Sequence, residues 1–309
     1  MMFDRRSAIA GAAALVAGAC VPLETSNDGR LMSKLAILER ALGGRLGVAF
    51  HDPLQRASLS YRGQERFPMC STFKASLAAL ALSLEQEGKL DLSQRVTWTK
   101  SDLISHVPFT STRIEEGATL RELAYAAQTV SDNLAANLLL DRVGGPAGLT
   151  AFWRRLGDDV SRLDRKETEL NYVREGDVRD TTTPAAMART LAAILSSGDK
   201  GPLTTEREAV LRQWMIESVT GLERVRAGLP PTWIAGDKTG TSGTPPGMGQ
   251  VRGDIGFTLG PAETAIFFAV YHQSPVDAPI DGDKVDAVLA QVGEMLTVWT
   301  RQLYTIEVS

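Results

Sequence analysis

The sequence predicts an α/β protein of two lobes, one assembled from both ends of the chain and one all-helical and inserted between them. Three observations lead there. An amphipathic helix and two strand-like runs open the chain without partners nearby. Matching strands and a long amphipathic helix close it. The stretch between, roughly 67–214, is mostly helical with Gly and Pro punctuation. Joining the two ends in one α/β layer pairs the strands most economically. A cleft between the lobes is then the first place to look for a site.

Residues 1–19 read as an export signal. Arg5 and Arg6 precede an uncharged, Ala-rich run over 7–19 that is too short and too rich in small residues to span a bilayer. Ala17-Gly18-Ala19 fits an A-x-A cleavage site, and the paired arginines resemble a twin-arginine signal, so the expected location is the periplasm. Cys20 follows the cleavage point and is a candidate lipid anchor. Residues 20–30, containing Asn27-Asp28-Gly29, are a linker by composition. Residues 31–42 carry apolar positions at helical spacing and stop at Gly43-Gly44. Alternating runs at 46–51 and 57–61, divided by Asp52-Pro53, read as a strand pair. Further strands are expected at 233–239, 251–259 and 264–272, and a final helix at 284–303. The α/β lobe thus comprises 31–66 and 214–309, and the helical lobe 67–213.

The chain has 309 residues, 43% hydrophobic and 23% charged, which is ordinary for a globular protein. A net charge of −4 argues against nucleic acid or an anionic membrane surface as partner. The histidines, His51, His106 and His272, lack metal-ligand spacing, so neither a metal nor another cofactor is implied. With Cys20 removed or lipidated, Cys70 has no partner for a disulfide and reads as a small buried hydrophobe.

Three short patterns carry chemistry. Ser71-Thr72-Phe73-Lys74 precedes a run over 75–84 that is apolar nearly all round, as in a buried helix. On a helix Ser71 and Lys74 share a face. Free N–H groups of the first turn would favour an oxyanion there. A buried lysine can also be neutral and take the serine proton. Ser131-Asp132-Asn133 leads into the apolar helix 134–140, where all three residue types are also ordinary helix caps. Lys238-Thr239-Gly240-Thr241 ends a strand and is followed by a Gly/Pro-rich turn over 243–249. A lysine and two threonine hydroxyls there suit a carboxylate, and Gly240 lets a ligand approach the backbone. Each pattern alone has a bland explanation; the ordered trio, about 60 and 105 residues apart, is the combination described for class A β-lactamases and penicillin-binding proteins.

Over about residues 30–305 the sequence resembles class A serine β-lactamases, notably in SDNLAANLLLDRVGGPAGLTAF, RDTTTPAAMA, WIAGDKTGT and Arg165-Lys166-Glu167-Thr168-Glu169-Leu170-Asn171. The resemblance implies a two-lobed fold with an antiparallel sheet flanked by N- and C-terminal helices, plus an all-helical lobe. It makes the aperiodic, mixed-charge segment 162–180 an Ω-shaped loop tied by Arg165 and Asp180. It implies Ser71 as nucleophile, with its proton going to Lys74 or, through water, to Glu167. It further implies Ser131 as proton relay to the lactam nitrogen, and backbone N–H groups of Ser71 and Thr241 as oxyanion donors. Lys238 supplies charge, Thr239 and Thr241 receive the substrate carboxylate, and Asn133 binds the acylamino group. Glu167 with Asn171 holds the water that hydrolyses the acyl-enzyme. The glutamate separates a β-lactamase from a D,D-peptidase or an acylated sensor, which are the competing readings. The implied substrates are small-molecule β-lactams, acted on by a monomer.

Four features bear on specificity. Thr168 stands where the family commonly has proline, often after a cis bond. The stretch Thr220-Gly221-Leu222-Glu223-Arg224-Val225-Arg226 resembles a carbapenem-hydrolysing subgroup, with Arg224 preferred over Arg252 as carboxylate contact. That subgroup pairs a cysteine beside the nucleophile with one after K-T-G-T; Cys70 is present here, but the partner position is Ser242. His106 falls where an aromatic wall residue is common.

Overall fold

The computed structural model describes residues 27–304, apart from 173, 197, 244–246 and 279. The export signal and Cys20 lie outside the described residues. In chain order the elements are α1 (Asn27–Leu42), β1 (Arg45–Asp52), β2 (Ala57–Tyr61), β3 (Phe67–Pro68), α2 (Phe73–Gln86), β4 (Arg95–Val96) and β5 (Ala118–Thr119). They continue with α3 (Leu120–Thr129), α4 (Asn133–Arg142), α5 (Gly145–Arg155), β6 (Thr181–Thr182), α6 (Pro184–Leu195) and α7 (Thr205–Ile216). The chain closes with β7 (Ile234–Thr241), β8 (Val251–Leu259), β9 (Ala265–Gln273) and α8 (Gly282–Leu303).

Helix α1 begins at Asn27, inside the segment whose composition reads as linker. The reason is that Asn, Asp and Gly serve helix N-termini as well as loops, and Asp28 sits where it complements the helix dipole. The helix is fastened by Glu39, whose carboxylate accepts from Leu46 N at 3.0 Å and from Arg62 Nε at 2.6 Å. Both ends of the sequence then meet in one antiparallel sheet of order β2-β1-β9-β8-β7. Val48 pairs with Val270 across β1 and β9, and Thr239 with Asp254 across β7 and β8.

The sheet is buried on both faces, which explains why β9 reads as an unbroken apolar run. Ile266, Phe268 and Val270 pack with α1 and α8, while Phe267, Ala269 and Tyr271 face the helical core. Each fully buried Phe of this strand contributes about 2 kcal/mol of transfer free energy. Helix α8 buries Val285, Val288, Leu289, Val292, Met295, Leu296 and Trp299, one stripe at helical spacing. Its N-terminus is capped by Asp281.

The helical core centres on α2, in which every residue from Phe73 to Ser83 is buried. Helices α3 to α7 surround it. Thr119 and Glu122 close a capping box on α3, and Thr183 caps α6 ahead of Pro184. No described helix is long and apolar enough to cross a membrane.

Candidate active site

Ser71 occupies a short 3-10 turn, Cys70–Thr72, that runs directly into α2. Cys70 holds a left-handed backbone, φ 46°, and Met69 N donates to Asp180 O at 3.0 Å, tying this turn to the end of the Ω segment. Gly240 of β7 presses on the same turn. A Cβ there would lie 2.7 Å from Met69 O and 3.0 Å from Thr72 Cγ2, so glycine is required for the strand to reach the nucleophile's backbone. The close approach predicted for a ligand is thus made by the protein itself.

Lys74, one helical turn on, is fully buried and points its ammonium into a ring of oxygens. Lys74 Nζ donates to Ser71 Oγ at 2.8 Å, Asn133 Oδ1 at 2.6 Å and Ser131 O at 2.9 Å. It also lies 3.0 Å from Glu167 Oε1. Ser71 Oγ in turn donates to Glu167 Oε1 at 2.9 Å. Burial pulls the Lys74 pKa below the usual lysine range, against the opposing charge of Glu167. Burial also works to raise the Glu167 pKa. The Lys74 charge, with hydrogen bonds from Lys74, Ser71 and Asn171, outweighs it and leaves that carboxyl below its ordinary value. A carboxylate ready to accept a proton therefore touches the serine that must lose one.

The Ser131-Asp132-Asn133 pattern divides its labour. Asp132 is a cap, as its type suggests: Oδ1 accepts from Ala135 N at 2.8 Å, and Oδ2 from Phe109 N and Thr110 N at 3.0 and 2.9 Å. Its neighbours are thereby aimed at the cleft. Ser131, at φ 60°, presents Oγ to Lys238 Nζ at 3.0 Å and Lys74 Nζ at 3.4 Å. Asn133 Nδ2 donates to Ser105 O at 2.8 Å, which fixes its amide orientation. Lys238 is fully buried, and that burial with the nearby Lys74 charge holds its pKa well below the usual lysine range.

On the Ω segment, Arg165 Nε donates to Asp180 Oδ2 at 2.6 Å, so the predicted tie between the loop ends is present. Asp180 Oδ1 also receives Asp164 N and Arg165 N at 2.7 and 2.9 Å. The Glu167–Thr168 peptide bond is cis. Asn171 Nδ2 donates to Glu167 Oε2 at 2.7 Å. Asn137 clamps the backbone of the same glutamate from both sides: its Oδ1 accepts from Glu167 N at 2.9 Å, and its Nδ2 donates to Glu167 O at 2.7 Å.

A cavity of about 600 Å³ opens onto these groups. Ser71, Ser131, Asn133, Glu167, Asn171, Arg224, Thr239 and Thr241 all line it, whereas Lys74 and Lys238 stand just behind its wall. His106 lines it too, its ring nitrogen Nε2 held 3.1 Å from Val130 O. Arg224 Nη2 donates to Thr241 Oγ1 at 2.9 Å, and Nη1 to Gly253 O at 2.6 Å. Arg252 is absent from the cavity wall and pairs with Asp286, which also holds Arg224 Nε at 3.1 Å. Cys70 is free and buried, and burial pushes its thiol pKa up, so it is no rival nucleophile. The hydroxyl of Ser242 accepts from Val251 N at 2.8 Å, closing the strand end without a disulfide. Part of the 243–249 turn lies outside the described residues.

Sequence reasoning missed Asn137, Thr220 and Asp286. Asn137 follows Asn133 by one helical turn and so shares its face, but that spacing does not name its partner, Glu167, which lies 30 residues on in another element. Thr220 Oγ1 accepts from Thr239 Oγ1 at 2.7 Å, and Asp286 reaches the site from α8. Neither contact leaves a local signal.

A serine whose proton is directed at a buried carboxylate, flanked by a depressed lysine and opening on a pocket with Arg224 on its wall, defines a serine acyl-transfer hydrolase. The chain belongs to the Beta-lactamase enzyme family, whose model matches residues 30–300, and within it to the class A serine β-lactamases. Among curated relatives, it is 48% identical over 211 residues to β-lactamase FAR-1 of Nocardia farcinica, covering 67% of this chain and 66% of that protein. It is 45% identical over 227 residues to β-lactamase CTX-M-8 of Citrobacter amalonaticus, covering 74% and 76% respectively. A solved class A β-lactamase of the last common ancestor of Gram-negative bacteria superposes with a TM-score of 0.81 at 46% identity, over 87% of this chain and 99% of that one. The chain is a hydrolase that opens the amide bond of β-lactams through a serine acyl-enzyme.

Proposed function

We propose that Ser71 is the nucleophile and Glu167 the base that makes this hydrolase turn over. The observation that carries it is the direct 2.9 Å hydrogen bond from Ser71 Oγ to Glu167 Oε1. In acylation the Ser71 proton passes to Glu167 along that bond as Oγ attacks the lactam carbonyl, while Lys74, donating to Oγ, holds it in line. Backbone N–H groups of Ser71 and Thr241 receive the oxyanion, each worth about 3 kcal/mol. The lactam C–N bond breaks as Ser131 gives its proton to the leaving nitrogen and is resupplied by Lys74, within reach of its hydroxyl; Lys74 in turn takes from Glu167, 3.0 Å away, the proton that left Ser71, so Glu167 is a carboxylate again before deacylation. The substrate carboxylate lies against Thr239, Thr241 and the Arg224 charge, and Asn133 binds the acylamino group.

Once acylated, Ser71 Oγ has no proton to donate, so Glu167 Oε1 loses that partner and turns to water. Oriented by Asn171, Glu167 takes a proton from the water that attacks the ester, and Ser71 is restored. All of these groups come from one chain, which supports a monomer. The first 19 residues direct export to the periplasm. Mass spectrometry of the mature N-terminal peptide distinguishes lipidation of Cys20 from simple cleavage.

The test is steady-state hydrolysis of a chromogenic cephalosporin by the wild type and by Ser71→Ala. Wild-type turnover with loss of about 10³-fold or more in kcat for the variant is expected. Undiminished hydrolysis by Ser71→Ala removes the nucleophile assignment.

A further inference from the structure

A second cavity, of about 510 Å³, shares no lining residue with the one that opens onto Ser71. One wall is the stretch 174–178 of the Ω segment; others are the start of β1 and the turn at 274–276 that follows β9. Its size is that of a small-molecule site.

Charge on these walls does not cancel. Glu65 pairs with Arg45 at 3.1 Å, and Asp177 with Arg179 at 2.8 Å. Arg66, Arg174 and Glu175 also line the cavity, and none of them has an ion pair among the described residues. Two guanidiniums therefore stand against one carboxylate. Arg66 is held in place without being neutralised: its Nη1 donates to Val160 O and to Thr181 Oγ1, both at 3.0 Å. Arg174 is exposed and has no such tether.

Beside the charges the surface is apolar. Pro68 and Met248 are buried, whereas Val178 and Val276 stay 44% and 50% exposed. Covering the two valines returns free energy to a ligand, because apolar area leaves water, while exchanged hydrogen bonds return little. Unneutralised guanidiniums beside apolar surface select one chemistry: a carboxylate, which matches the guanidinium fork, carried on an apolar body. A free phosphate meets the arginines and leaves the valines bare.

We propose that this cavity is a second ligand site, taking a small amphiphilic carboxylate whose charged end lies on Arg66 and Arg174 and whose apolar body covers Val178 and Val276. The site needs none of the groups assigned to acyl transfer.

The test is a heteronuclear NMR titration of the wild-type protein with phenylbutyrate, with phenylbutanol and inorganic phosphate as controls. Phenylbutyrate is expected to saturate with a Kd of about 1 mM, shifting the amides of Gly176, Val178, Gly249 and Val276. The alcohol lacks the charge and phosphate lacks the apolar body, so each binds about fivefold or more weakly. Arg174→Gln, at an exposed position, weakens phenylbutyrate about three- to fivefold, and Arg224→Ala leaves its affinity unchanged. Shifts centred instead on Ser131, Thr239 and Thr241 overturn the proposal. So do an affinity untouched by Arg174→Gln, equal binding of either control, or no saturation by about 10 mM.

Discussion

Ser71 Oγ lies within hydrogen-bond distance of both Glu167 and Lys74, and the two neighbours differ in what they can do with its proton. Glu167 is held below the ordinary carboxylate value of 4.5, so its basic form persists into acid solution. A carboxyl lowered in pKa loses its basic form only as pH falls through that lowered value. The acid limb of kcat/KM is therefore expected below pH 4.5, and a limb near pH 6 in a pH-rate profile contradicts the charge state described. Asn137 is the residue whose part in this was least visible in the sequence. Its amide grips Glu167 N and Glu167 O together. Asn137→Ala is expected to slow acylation and deacylation alike by about tenfold or more, because Glu167 is the base of both, and to cost about 2 kcal/mol of stability. Rapid-quench kinetics separate the two steps; slowing of only one contradicts a role in placing Glu167 for both. The site serines, lysines and glutamate were legible because they fall in short patterns of fixed order. Asn137 was not, because its partner lies 30 residues away on another element.

At the scale of elements, the strands were legible wherever apolar period or run length is set locally. Strand β8 coincides with its predicted bounds, and β9 and β7 are displaced by one or two residues. The start of α1 was obscured because Asn, Asp and Gly begin helices and fill linkers alike. The Ω segment carries Glu167 and Asn171 to the cavity and has little regular structure of its own. Its shape comes from Asp180, fully buried, which accepts from Arg165 Nε and from two backbone N–H groups. Asp180→Asn leaves the guanidinium without its counter-charge and is expected to cost about 3 kcal/mol. Urea unfolding measures that loss; a variant unchanged in midpoint and in deacylation rate contradicts the tie. Helix α8 contributes at this scale too, since Asp286 holds Arg224 and Arg252 on one carboxylate and so links the C-terminal helix to the cationic end of the cavity.

Across the whole molecule, the α/β and helical parts meet at a site that is richer in buried charge than stability alone favours. Behind Lys238 lie Asp237 and Asp254, both fully buried on neighbouring strands. Burial raises Asp237 to about 6, and burial together with the Asp237 charge raises Asp254 well above the usual range. Arg226 and Arg224 oppose both shifts, and Lys238 opposes that of Asp237. Carboxyls raised on folding stabilise the fold fully at low pH, and that contribution is lost as pH rises through their folded values. Asp254→Asn is therefore expected to raise the urea midpoint more at pH 8 than at pH 5; a midpoint lowered equally at both contradicts the pairing. Such charges were invisible in the sequence, where each Asp looks like any other strand residue until the register is known. The measurement that bears most directly on how this enzyme works is intact-mass analysis of Glu167→Gln after mixing with benzylpenicillin. An adduct equal to the whole drug, formed more slowly than in the wild type because Lys74 must then take the Ser71 proton, localised by peptide mapping to Ser71 and persisting for many wild-type turnover times, is the predicted result. Continued hydrolysis at the wild-type rate, or an adduct on any other residue, would contradict it.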